Sequence, residues 1–370
     1  MNVLSLFDGI SCAYVALERA GLPVASYTAV EIDKNATRIS QKNYPDIIRH
    51  DDVRTFHPTR RCDLLIGGSP CQDLSIAKKE RKGLDGDRSG LFWEYIRIRN
   101  EAKPTWFILE NVASMPKKDR DIITREMGVE PVMFNASLVS AQSRKRLFWT
   151  NIPFALPDDR GIVLKDILQP PGEVDERMVM KGKAFCLTAT YAHQTPTENG
   201  IKNSIERKHR TMVKIGHTGE SDNQASRVYD PDGKSCTLGA NGGGGGAKTG
   251  LYKIGTETGL IIPEATKIGY AIAKDGDSVD ISYPNSKTRR GRVGNKVKNI
   301  MTTQSIGVVQ NQQIRKLTPI ECERLQGLPD NYTEGIAMTN RYKCLGNAFN
   351  VDVVCCILER LTRPLYAPTT

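Results

Sequence analysis

Val3-Leu4-Ser5-Leu6-Phe7-Asp8-Gly9-Ile10-Ser11 sets an apolar run against a glycine turn, and the amphipathic stretch Cys12 to Ala20 follows. That order reads as a buried strand, a tight turn and a helix that Gly21 can cap. A glycine at such a turn lets the backbone approach a ligand closely, and the helix start offers free N–H groups. The alternation continues along the chain. Ala25 to Glu31, Ile47-Ile48, Leu64-Leu65-Ile66 and Trp106-Phe107-Ile108-Leu109 are strand candidates, with Asn35 to Lys42 and Leu91 to Glu101 helical between them. The pattern predicts an α/β fold with a doubly wound, mostly parallel sheet and a ligand site at the carboxyl ends of its strands. A nicotinamide-type oxidoreductase is excluded, because no GxGxxG follows the first strand.

Composition narrows the class. At 370 residues the chain is long enough for two lobes. It contains no apolar run of membrane-spanning length and no secretory leader pattern, and no regulatory domain is expected ahead of the first strand. The nine cysteines form no CxxC pair, which argues against zinc or a disulfide framework and for a reducing cytoplasm. A net charge of +10 suits a polyanionic partner, though charge alone fits a soluble basic protein equally well. Lys287, Arg289, Arg290, Arg292, Lys296 and Lys298 cluster with no acidic residue among them, a stretch better suited to phosphate contact than to a mixed-charge face.

Gly67-Gly68-Ser69-Pro70-Cys71-Gln72-Asp73-Leu74-Ser75 follows the strand at Leu64 to Ile66. A lone cysteine after a strand is usually structural. Inside a rigid Gly-Gly-Ser-Pro turn at the ligand edge, Cys71 reads as a nucleophile. The polar loop behind it carries Lys78, Lys79, Arg81, Lys82 and Arg88 between glycines, as a lid closing on nucleic acid requires. Glu110-Asn111-Val112 ends the next strand, placing a carboxyl group in the same crevice. Gln142, Arg144 and Arg146 alternate, hence share one strand face; they line a site or make a basic, aggregation-resistant edge. Glu31 closes the second strand, where such folds place the carboxylate that grips a ribose diol. Asp52, after Ile47-Ile48, is placed to accept from an adenine amine. Packing and solubility explain that glycine turn and carboxylate equally well.

In order and spacing these segments resemble the motif series of the DNA cytosine-5 methyltransferase family. The Phe7–Ser11 turn is similar to its cofactor motif, Pro70-Cys71 to its nucleophile motif, Glu110-Asn111-Val112 to its ENV motif and Gln142 to Arg146 to its QxRxR motif. Arg315 to Gly327 and Gly346-Asn347-Ala348-Phe349-Asn350-Val351 resemble its two closing motifs. The Gly67–Pro116 stretch also resembles the animal de novo enzymes. The resemblance implies a sheet of the S-adenosylmethionine-dependent methyltransferase type with a smaller, irregular β-rich target-recognition domain. Residues 1–155 would be catalytic and cofactor-binding, 156–314 would recognise the target, and 315–370 would rejoin the first lobe.

It also implies that Cys71 attacks cytosine C6, Glu110 holds N3 and the exocyclic amine, Arg146 contacts O2, and Gln142 and Arg144 order the pocket. Phe7, Asp8, Gly9, Glu31, Ile32, Asp52, Val53, Pro70 and Asn347 would bind S-adenosylmethionine, with no metal. Duplex DNA is the implied partner, met by Lys79, Arg81, Arg88, Arg289, Arg290 and Arg292, and by Thr237, Gly243, Gly244 and Lys248 around the run Gly242 to Gly246. Those glycines can read base edges or serve as a linker. A short CG-containing site, a cognate restriction endonuclease and a monomer are expected; tRNA cytosine-5 methylation is the alternative. Two positions depart from the family pattern: Ser11 stands for a glycine, acceptable if its φ is negative, and Leu328 stands for a phenylalanine.

Overall fold

The opening run forms strand β1, Asn2–Leu6, in a computed structural model that describes residues 1–70, 74, 83–86, 89–174, 214–217, 227–229, 251–252, 260–266, 270–280, 291–298, 306–310 and 313–362. Strands β2 (Ser26–Val30), β3 (Ile48–His50), β4 (Leu64–Gly67) and β5 (Trp106–Val112) join it in parallel. A strand not expected from the sequence, β6 (Val132–Asn135), and β8 (Lys145–Thr150), the later part of the strand expected from Gln142 onward, extend the sheet, with the short β7 (Gln142–Ser143) between them in sequence. The seven-stranded order is β3-β2-β1-β4-β5-β8-β6, and β8 runs antiparallel to both its neighbours. This is a doubly wound, mostly parallel sheet. Its order reverses between β1 and β4, where such sheets open a crevice for ligands.

Register then decides which side chains meet. Leu6 pairs with Val30 and with Gly67, Gly67 pairs with Leu109, and Val30 pairs with His50. The residues that follow, Phe7, Glu31, Gly68, Glu110 and Asp51, therefore emerge along one carboxyl edge. Helices α1 (Cys12–Arg19), α2 (Lys34–Asn43), α3 (Phe92–Ala102) and α4 (Lys117–Met127) cross between strands. The α1 end is closed as expected by Gly21 at φ 69°, whose N–H bonds Glu18 O. The core beneath the edge includes Leu4, Leu6, Leu65, Phe92, Tyr95, Leu109 and Trp149. Trp149 donates to Thr124 Oγ1 at 3.0 Å and Tyr95 to Ile108 O at 3.1 Å, so the large polar-tipped rings are buried with partners.

The C-terminal motifs return as helices α5 (Pro319–Leu325), α6 (Met338–Asn347) and α7 (Val351–Leu358). Thr318 and Glu321 cap α5 reciprocally with Pro319 in its first turn, the S/T-x-x-E device. Arg19 on α1 bonds Asp352 on α7 and Gly327 O.

The chain packs as two units, Met1–Ile167 with Lys296–Gln304 and Thr318–Thr370, and Leu168–Asn295 with Ser305–Leu317. The expected division lay at 155/156 and 314/315; the first unit additionally takes in a short return segment. Within it Val297–Lys298 pairs in parallel with β7, Val297 N donates to Ala141 O, and Lys296 Nζ holds Ser137 O at 2.6 Å and Asp159 at 3.1 Å. Lys296, read as part of a phosphate-seeking run, is thus engaged in the first unit's own structure. In the second unit the described strands are short. Four of them form an antiparallel sheet, and Ile262, Ala273, Val279 and Val309 make a small core. Among the described residues no helix is long and apolar enough to cross a membrane.

Candidate active site

Glu110 sits near the end of β5 and Arg146 near the start of β8. In the antiparallel register Glu110 faces Phe148 and Val112 faces Arg146, so Glu110 and Arg146 are diagonal neighbours on one sheet face. Arg146 Nε lies 2.7 Å from Glu110 Oε1, and both side chains are 13% exposed. The second carboxyl oxygen, Oε2, lies at Gly68: a Cβ built there would stand 3.1 Å from it and 2.8 Å from the Phe349 ring. Glycine at 68 is what lets the Cys71 turn, the carboxylate and the aromatic ring converge. Asn111 bonds Ser69 Oγ at 3.0 Å and its own neighbour's N–H, tying the ENV segment to the Ser-Pro turn. Cys71 itself, with Lys79, Arg81 and Arg88, lies outside the described residues.

Gln142, Arg144 and Arg146 do not lie on one unbroken strand. The strand breaks at Arg144, where Ala136 N takes the Arg144 carbonyl, and β7 pairs with Val297–Lys298 while β8 joins the main sheet. The three side chains therefore part company. Arg146 reaches Glu110; Arg144, 4% exposed, donates to Gly346 O at 3.2 Å and Ala348 O at 2.9 Å; Gln142 is fully buried. Arg144 thus grips the turn that carries Asn347. Neither that grip nor the contact of Phe349 with Gly68 was foreseen; the paired glycines were the signal for the second.

On the cofactor side, Phe7, Gly9 and Ser11 have φ of 56°, 61° and 61°. The left-handed region costs a non-glycine residue of order 1–3 kcal/mol, so the turn is held by its surroundings. The condition set for a serine at position 11, a negative φ, is not met: Ser11 adopts glycine's conformation, with its hydroxyl 2.6 Å from both Asp8 Oδ2 and Ser40 Oγ. Asp8 is 4% exposed and accepts from Ser11 and Tyr27, so its carboxylate belongs to the turn's interior. Burial raises its pKa, and the hydroxyl donors and Arg49 pull it back.

The open side of the turn is lined otherwise. A Cβ at Gly9 would meet nothing within 4 Å, which leaves the backbone accessible. Glu31 accepts from Gly9 N at 2.8 Å and Asp33 N at 2.7 Å. Burial raises its pKa against those two donors. Each carboxyl oxygen keeps a second acceptor site for a diol. Beside it Ile32 is 64% exposed, an apolar surface on which a ring can lie. Asp52 is half-buried, and its pKa is lowered chiefly by the Arg54 N–H. Val53 turns into the core and its carbonyl accepts from Arg97. Asn347 is exposed at the end of α6, and Pro70 is half-buried beside the Cys71 turn. An accessible turn, a ribose-type carboxylate and an exposed apolar side chain fit an adenosyl group. Among the described residues no cluster of His, Cys, Asp or Glu is placed to hold a metal ion. Arg292 is exposed; Arg289, Arg290, Thr237, Gly243, Gly244 and Lys248 lie outside the described residues.

The family model for C-5 cytosine-specific DNA methylases matches residues 1–363. The chain is 26% identical to the type II methyltransferase M.HhaI of Haemophilus parahaemolyticus, over 96% of this chain and 92% of that protein. It is also 26% identical to the orphan methyltransferase M.SPRI of Bacillus phage SPR, over 98% and 97%. A DNA modification methyltransferase encoded in an E. coli prophage shares the fold at a TM-score of 0.57 and 21% identity, covering 98% of both chains. A Spodoptera frugiperda DNMT2 mutant shares it at 0.54 and 16%, over 98% of this chain and 99% of that one.

Proposed function

The chain belongs to the C-5 cytosine-specific DNA methylase family, and from that premise we propose that it methylates C5 of a cytosine flipped out of duplex DNA, at a short CG-containing site, through a covalent adduct with Cys71. The observation that carries the reading is Glu110. One carboxyl oxygen is committed to Arg146, and the other lies at Gly68, three residues ahead of the cysteine.

In this mechanism the Cys71 thiolate forms a bond to C6, and Glu110 supports the activated ring at N3 and the exocyclic amine. Arg146, held by Glu110, is oriented toward the base oxygen. S-adenosylmethionine supplies the methyl group that C5 attacks. Loss of the C5 proton then lets the C6–S bond break and the thiol leave. A stacked base cannot reach such a site, so the cytosine must leave the helix. Phe7, Gly9, Glu31, Ile32, Asp52, Pro70 and Asn347 hold the cofactor, and Val53 contributes backbone only. Lys79, Arg81, Arg88, Arg289, Arg290 and Arg292 attract phosphate, while Thr237 to Lys248 read bases. The names of the relatives, type II and orphan DNA methyltransferases, favour DNA over the tRNA alternative.

DNA carrying 5-fluorocytosine at the target tests the chemistry, because fluorine cannot leave as a proton does. With S-adenosylmethionine present the protein should be trapped on it as a stable adduct, and Cys71→Ser should abolish trapping. A serine variant that methylates at the normal rate sinks the mechanism. Bisulfite mapping of DNA from expressing cells reads the site, and methylation confined to sequences without CG would refute the CG assignment.

A further inference from the structure

Arg49, Ser40, Ser11, Asp8 and Tyr27 form a connected chain of polar groups beneath the glycine turn. Arg49 is fixed by the carbonyls of Tyr44 and Ile47 at 2.6 and 2.8 Å and places a third bond, 3.0 Å, on Ser40 Oγ. Ser40 and Ser11 oxygens are 2.6 Å apart, Ser11 Oγ is 2.6 Å from Asp8 Oδ2, and Tyr27 OH is 2.6 Å from Asp8 Oδ1. Ser11 and Ser40 are buried, at 0% and 2% exposure. Donor chemistry fixes the direction of every bond. A guanidinium only donates, so Ser40 accepts from Arg49. Asp8 accepts from both Ser11 and Tyr27. The single Ser11 proton is then used, and the Ser40–Ser11 bond must be donated by Ser40. Every proton is allotted once along the chain from Arg49 to Asp8.

We propose that Ser11 is a positioning residue for the cofactor: its hydroxyl is the middle link of a directed donor chain from Arg49 through Ser40 to Asp8 that holds the Phe7–Ser11 turn in its left-handed conformation. The cofactor-free turn is thereby preset with Gly9 open above and its N–H on Glu31. A glycine at position 11 adopts the same φ without a partner; a serine there replaces conformational freedom with tertiary fixation. The inference rests on the proposed use of S-adenosylmethionine only for its functional consequence, because the fixation exists in the protein alone.

Two readouts test it in Ser11→Ala, Ser11→Gly, Ser40→Ala and Ser40→Thr. Amide hydrogen exchange of Phe7 to Ser11 in cofactor-free protein should speed up about tenfold when either hydroxyl is removed, the size expected for one net hydrogen bond of the stronger kind. Calorimetric dissociation constants for S-adenosylmethionine should rise by about the same factor, with KM rising and kcat at saturation retained. Ser40→Thr keeps the hydroxyl and should behave as the parent protein. A Ser11→Gly variant with unchanged exchange and unchanged affinity overturns the proposal, as does a Ser40→Ala variant that alters only melting temperature. A parent protein that fails to bind S-adenosylmethionine refutes the methyltransferase reading instead, and the exchange readout still decides this one.

Discussion

Two glutamate–arginine pairs of the first unit use the same chemistry to opposite ends. Glu110 and Arg146 meet at the sheet edge, each 13% exposed, with one carboxyl oxygen committed to the guanidinium and the other turned toward Gly68. Glu323 on α5 and Arg341 on α6 pair between these two helices, where Glu323 is 0% exposed. There Oε1 accepts from Arg341 at 2.8 Å, Thr333 N at 2.8 Å and Thr333 Oγ1, and Arg341 Nε also bonds Thr333 Oγ1 at 2.8 Å. In the buried pair the fold supplies three donors to Oε1 and encloses Oε2 without a partner, and the pair holds the segment after α5 in place. The edge pair keeps acceptor capacity for something outside the chain. Access to the second carboxyl oxygen, more than residue type, separates a structural carboxylate from a functional one.

The largest effect should come from breaking the sealed pair. Glu323→Ala leaves Arg341 and the Thr333 amide without their acceptor and should cost about 3–5 kcal/mol in urea unfolding, the usual penalty for half of a buried ion pair. Stability within about 0.5 kcal/mol of the parent would put Glu323 among ordinary surface-type changes and dissolve the contrast. Glu110→Gln should do the reverse, lowering turnover roughly 100-fold while the unfolding midpoint stays put. A fall in stability equal to that of Glu323→Ala would make the edge pair structural too.

Arg144 joins the two regions, since it neighbours the Glu110–Arg146 face in sequence and holds the Gly346–Ala348 carbonyls. Arg144→Lys keeps the charge but cannot span both acceptors with a fixed fork. It should cost about 1.5 kcal/mol, one charged hydrogen bond, and weaken cofactor binding through Asn347. Full stability with unchanged KM would separate the regions again.

The smallest effect concerns Asp33, which pairs with Lys343 at 2.7 Å across α2 and α6. Burial opposes its ionisation, but the Lys343 and helix N–H donors outweigh that and lower its pKa. A lowered carboxyl pKa contributes stability that is present above the unfolded value, about 3.9, and is lost as pH falls through the folded one. Lys343→Gln should therefore cost only about 0.2–1 kcal/mol near neutrality. The difference from the parent should vanish below pH 3 or so in an acid titration of stability. A difference that persists there would point to packing.

Much of this was legible because the deciding signals are local. Leu64 to Ile66 is an uninterrupted apolar run and could only be a buried strand. Thr318-Pro319-Ile320-Glu321 announces a helix start through its own capping atoms. The elements not foreseen lack such signals. Lys117–Met127 buries only Asp119, Ile123 and Met127, too sparse a face to stand out among its charges. Met338–Asn347 buries Tyr342, Cys344 and Leu345 within a polar sequence. The hydroxyl of Ser11 meets Ser40, distant in sequence and opaque to local reading. The break at Arg144 likewise accompanies the pairing of β7 with Val297, which arrives only after residues 168–295 of the second unit.

That last pairing sets where the protein can be cut and rejoined. The chain leaves the first unit after Ile167, returns at Lys296 to lay a strand beside Gln142, leaves again after Gln304 and comes back at Thr318. A second unit exchanged between relatives as one continuous cassette would carry away the strand that backs Gln142. A graft made instead as two inserts, with junctions at 167/296 and 304/318, keeps residues 296–304 with the recipient. The molecule is modular, but its seams run through four points of the chain and not two.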